Sequence, residues 1–173
     1  MNILPGNMRF GAGQPVKRLE DQRLLTGKGQ FIDDKPEEGA LWLYVLRSPH
    51  AHARVKSLDT KAALEMAGVE AVYTGADLVK DDIGTLPTLA IFKRPDGKPM
   101  TVPPRRLLAH EVVRYAGEAV AAVVATSRVL AQTAAEAIEI DYEVLPSVVD
   151  PVEAVKSGAP AVWPEAPDNV VPP

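Results

Sequence analysis

His50 and His52 give the only metal-like spacing in this 173-residue sequence, and Arg54 and Lys56 continue it two by two. On an extended strand, residues two apart point the same way, so the four side chains share one face. A metal pair needs two imidazoles placed like that. Two fixed cations beside them disfavour a third positive charge, and no further ligand stands close in sequence. Hydrogen-bonded structural or interface histidines are the better reading. Together His50, His52, Arg54 and Lys56 form a possible interface or anion-binding face.

The other groupings are weaker. Thr26-Gly27-Lys28-Gly29 resembles a phosphate loop but lacks the first glycine of that spacing and the hydroxyl after the lysine, so it reads as a tight turn. Asp33, Asp34, Glu37 and Glu38 surround Pro36 without calcium-loop spacing and read as a solvated acidic loop. A pairing of Ser48 with His50 or His52 lacks any supporting geometry. Arg105 and Arg106, beside Pro103-Pro104, could hold a carboxylate or phosphate, with a surface ion pair as the default. No catalytic, cofactor-binding or metal role is assigned to any residue.

The elements that must position these groups follow from periodicity. Residues 41–46 are apolar at every position, so a central strand covered on both faces is expected. Pro49 cannot donate to a ladder and puts a corner at Ser48-Pro49; beyond it Ala51, Ala53 and Val55 alternate with the basic face. A helix is expected over residues 16–25, ending at Gly27, with a short strand starting at Phe31-Ile32. Asp59 or Thr60 caps a helix to about Met66, stopped by Gly68. Residues 69–74 are strand-like, with a turn at Gly75-Ala76-Asp77. Five prolines make residues 80–105 an irregular loop with a turn at Asp96-Gly97.

The second half is more regular. Residues 119–125, AVAAVVA, predict a buried strand. Ser127 caps a helix through about Ala137, with Leu130, Ala134 and Ile138 on one face. Residues 138–144 alternate apolar and acidic as a half-buried strand, ended by Leu145-Pro146. The expected organisation is an arm over residues 1–15, a folded domain over 16–150 and a proline-rich tail or interdomain linker over 151–173.

Composition narrows the class. A net charge of −4 argues against nucleic-acid phosphate as the main partner. With no cysteine in the sequence, disulfides, thiolate catalysis and iron–sulfur ligation by this chain are excluded. No apolar run reaches membrane-spanning length. A cytoplasmic protein without membrane insertion is expected.

Residues 18–31 (RLEDQRLLTGKGQF) and 47–55 (RSPHAHARV) together resemble the start of a molybdenum hydroxylase large chain. That family includes carbon monoxide dehydrogenase, aldehyde oxidase and xanthine dehydrogenase, and the bacterial carbon-monoxide-dehydrogenase-like branch fits best. Residues 68–72 (GVEAV), 115–121 (YAGEAVA), 134–136 (AAE) and 141–146 (DYEVLP) continue the resemblance in the right order. It implies an α+β fold, the a/b hammerhead-type mixed sheet with two or three helices packed on it. It also implies a structural N-terminal domain that packs against a molybdopterin-binding portion of the large subunit. Iron–sulfur and FAD subunits would then be partners, and no cofactor would be bound by this chain alone. The alternative is a free-standing small-molecule or protein-binding module that reuses the fold without redox work.

Overall fold

The computed structural model describes residues 18–35, 37–88, 92–94 and 97–171. The described residues up to Ala40 form one compact unit, and those from Leu41 form another. The expected arm over 1–15 and Asp96 of the expected turn lie outside the described residues.

In the first unit, helix α1 spans Asp21–Leu25. Gly27 stops it at a φ of +69°, letting the Lys28 N–H return to the Arg23 carbonyl at 2.8 Å. The strand expected at Phe31-Ile32 does not form. The Asp34 carboxylate accepts the Phe31 N–H at 3.0 Å, which closes a 3-10 turn over Ile32–Asp34 and removes a donor that a ladder would need.

The second unit holds the sheets. Strands β1 (Trp42–Arg47), β2 (Ala53–Asp59), β3 (Val69–Thr74), β4 (Val112–Val113), β5 (Ala119–Ala125) and β6 (Glu139–Val144) alternate with short helices. These are α2 (Lys61–Leu64), α3 (Gly75–Lys80), α4 (Arg128–Glu136) and α5 (Pro151–Ala154). Two three-stranded sheets result, ordered β1-β5-β3 and β4-β2-β6. Every pairing is antiparallel, and the expected α+β class holds, with the strands shared between two small sheets.

Small residues decide where the core sits. Ala121 and Val123 of β5 pack on Ala134 and Ala135 of α4, with Ala63 of α2 joining them. Alanine on alanine lets helix and strand approach closely without cavities. Ser127 caps α4 as expected, its hydroxyl accepting the Leu130 N–H at 3.2 Å. A smaller cluster of Ala53, Val113 and Val120 joins the two sheets, with Leu46 packed on both clusters.

β5, not β1, is the central strand. β1 lies at a sheet edge, and its N-terminal end is uncovered: Leu41, Trp42 and Leu43 are 51%, 45% and 62% exposed. An unbroken apolar run therefore marks surface here, not a strand buried on both faces. The Gly75-Ala76-Asp77 turn is likewise the first turn of α3. Thr74 accepts the Asp77 N–H, and the Asp77 carboxylate accepts the Thr74 N–H at 2.8 Å, a reciprocal capping box.

α3 runs through Lys80, and residues 81–105 contain no helix or strand among those described. The residues from 151 belong to the same compact unit as the sheets. Asn169 organises them: its carbonyl oxygen accepts the Val162 N–H, and its amide donates to the carbonyls of Ala154 and Pro160.

Candidate functional site

The corner at Ser48-Pro49 forms where expected. The Ser48 N–H donates to the Glu118 carbonyl at 2.8 Å, and the Gly117 N–H donates back to the Ser48 carbonyl at 2.7 Å. The buried Ser48 hydroxyl accepts the His50 N–H at 3.1 Å. That hydrogen bond holds a turn, so His50 and His52 precede β2 instead of lying on it.

The four residues of the basic face consequently separate. His50 packs edge-on against Tyr142, with ring centroids 4.8 Å apart. The His52 Nδ1 lies 2.7 Å from the Pro146 carbonyl. Arg54 and Lys56 both face solvent, but each meets a carboxylate of β6: Arg54 pairs with Glu143 at 3.1 Å and Lys56 with Asp141 at 3.3 Å. A register shift between Val55 and Ser57 leaves Lys56 without a paired residue on β6. Among the described residues, no three histidine, aspartate or glutamate side chains converge as metal ligands.

Burial pushes the Tyr142 phenol above its ordinary pKa, with Ser48 opposing. Its hydroxyl is buried beside Ser48 without a well-formed hydrogen bond. This packs the corner and supplies no general base.

A second cluster lies between residues 104–118 and Trp163. The Arg114 guanidinium stacks over the Trp163 ring at 3.9 Å. Its Nη1 donates to the Val112 carbonyl at 3.1 Å, while its buried Nε has no acceptor. Burial pulls Arg114 below its ordinary pKa, opposed by Glu118 and Glu165. The Glu118 carboxylate accepts the Arg114 backbone N–H. Burial nevertheless raises the Glu118 pKa, against that hydrogen bond and the Arg114 charge. Two cavities of about 170 and 220 Å³ adjoin here, and both are lined by Arg106, Arg114, Glu118 and Trp163.

The sequence singled out Arg105 and Arg106 but missed their companions. Arg114 and Glu118, four residues apart, carried a weak signal. Trp163 comes from a stretch read as a tail and could not be placed without the fold.

A profile of the aldehyde oxidase and xanthine dehydrogenase a/b hammerhead domain matches residues 26–146. The chain is 42% identical over 158 residues to the nicotine 6-hydroxylase large subunit of Paenarthrobacter nicotinovorans, an alignment covering 91% of this chain and 18% of that protein. It is 41% identical over 160 residues to the carbon monoxide dehydrogenase large chain of Afipia carboxidovorans, covering 92% and 18%. Among solved structures, quinoline 2-oxidoreductase from Pseudomonas putida 86 superposes with a TM-score of 0.74 at 40% identity, over 83% of this chain and 18% of that one. The chain thus spans about a fifth of the length of the relatives it matches.

Proposed function

The chain belongs to the aldehyde oxidase and xanthine dehydrogenase family, as its a/b hammerhead domain, and from that premise we propose that it is a structural N-terminal domain of a molybdopterin-dependent hydroxylase large subunit. It packs against a cofactor-holding portion, and iron–sulfur and FAD subunits complete the cytoplasmic assembly. Redox chemistry is left to those parts. Iron–sulfur clusters need thiolate ligands, and this sequence has no cysteine.

One observation supports packing most directly: the apolar outer face of the β1-β5-β3 sheet. Leu43 stands opposite Val124, which faces Ala71, and Val45 stands opposite Ala122, which faces Tyr73. Leu43 is 62% exposed and Tyr73 46%. Contiguous apolar rows of this kind mark surfaces that another polypeptide covers.

Co-expression tests this role. The 173-residue chain is produced with the portion of the A. carboxidovorans large chain beyond the aligned region. The expected result is co-purification as one particle, weakened by Leu43→Asp, with no turnover by the chain alone. Separate elution at every ratio, or indifference to Leu43→Asp, overturns the role and its assigned face.

A further inference from the structure

We propose that the cleft between residues 104–118 and Trp163 binds a small monocarboxylate with a flat apolar body, its head group held by Arg106 and Arg114. This proposal does not depend on the scaffold role.

The charge inventory comes first. Among the described residues, Arg105 and Arg106 have no ion-pair partner, and both are exposed at the rim of the larger cavity. Arg114 is fixed by the Val112 carbonyl and by its stack on Trp163, yet no carboxylate bonds to its guanidinium. The charges of Glu118 and Glu165 both act on Arg114, but Glu118 directs its carboxylate to the Arg114 backbone N–H. Glu111 has a φ of +65°; its largely exposed carboxylate lies 3.6 Å from His110 Nε2. The fixed Arg114 and the exposed Arg106 thus line a cavity with no carboxylate bonded to either guanidinium among the described residues, and a carboxylate ligand supplies two parallel oxygens.

The walls select the rest of the ligand. Leu86, Val162 and Trp163 line the larger cavity, so a bare polar ion would leave them wet. A volume of about 220 Å³ accommodates a single ring with its head group. Glu118 in the same cavity repels a dianion such as phosphate more strongly than it repels a monocarboxylate, whose single charge the arginines offset.

The placement is sturdy. Leu86 N–H donates to the Arg105 carbonyl at 2.8 Å, tying the two cavity walls together. Arg94 bonds the Val170 carbonyl at 2.8 Å and the Asp168 carboxylate, which anchors the segment carrying Trp163.

Calorimetric titration of the 173-residue chain with benzoate, benzamide and inorganic phosphate decides the matter. Saturable one-site benzoate binding is expected, with benzamide and phosphate silent. Arg106→Gln, at an exposed position, should leave the melting temperature unchanged and weaken benzoate by about tenfold or more, the effect of losing one charge-assisted contact. Absent benzoate binding, equal benzamide or phosphate binding, or indifference to Arg106→Gln overturns the site. Repeating the titration with the rest of a large chain separates two sources of the carboxylate. Competition assigns it to a side chain of that portion, and undisturbed binding assigns it to a free small acid. Because benzoate binding is read on the chain alone, failed co-assembly leaves this result standing.

Discussion

A Cβ placed on Gly75 would lie 2.1 Å from the carbonyl oxygen of Ala109. The α-carbon of His110 would be only 3.0 Å away. This contact seats the start of α3 on residues 109–110, and the Ala109 N–H is itself bonded to the Ala119 carbonyl of β5 at 2.7 Å. Both obstructing groups are backbone and cannot rotate aside.

Gly75→Ala should therefore destabilise the chain by about 1–3 kcal/mol, the cost of overpacking a rigid site. Urea unfolding measures it. A loss below about 0.5 kcal/mol, the range of indifferent surface changes, would show that the β3–α3 corner shifts more easily than this packing implies.

The capping box at α3 carries its own pH signature. Hydrogen bonds from the Thr74 side chain and N–H hold the Asp77 carboxyl below its ordinary pKa, with burial opposing. A depressed carboxylate favours folding once ionised. Its contribution is complete above the unfolded value of 3.8 and fades as pH falls through the lower folded value. Asp77→Ala should cost about 0.5–2 kcal/mol at neutral pH and less in strong acid. An equal cost at both would mean the cap acts without its charge.

Most of the second unit was legible because its signals were local. The AVAAVVA run, the Ser127 cap and the alternation through Tyr142 each fix an element within a few residues, and β5, α4 and β6 appear there. β1 departs from the expectation because an all-apolar strand suits both a buried core and an exposed sheet edge, and its periodicity does not tell the two apart. The Thr74-x-x-Asp77 box was present in the sequence but masked by Gly75, which reads as a turn. Pairing of the two-residue β4 with Ala53 and Arg54 of β2 leaves no periodic trace. The cleft was hidden for another reason: Arg106, Arg114 and Trp163 meet only through tertiary folding.

Asn169 gives the region after 151 its structure. One side chain accepts from Val162 and donates to Ala154 and Pro160, from a backbone φ of +57° that asparagine tolerates. Asn169→Ala removes all three bonds and leaves part-buried backbone groups to find water. The expected cost is about 1–3 kcal/mol, felt locally. Amide exchange at Val162 and trypsin cleavage after Lys156 should both quicken, while β5 amides keep their protection. Unchanged exchange at Val162 would sink Asn169 as the organiser.

Glu118 should behave opposite to Asp77 in acid. Burial is the largest influence on its carboxyl and raises the pKa, with the Arg114 N–H and charge opposing. A raised carboxylate is protonated more readily folded than unfolded, so folding gains stability as pH falls from the raised value toward the unfolded 4.5. Glu118→Gln keeps an oxygen for the Arg114 N–H and removes the ionisation. Subtracting the mutant's stability curve from the parent's should leave a difference that rises as pH drops through that window and levels below 4.5. The single Asp77→Ala difference curve falls instead, and at lower pH. If the Glu118 difference also falls with acid, the Arg114 charge outweighs burial at this position.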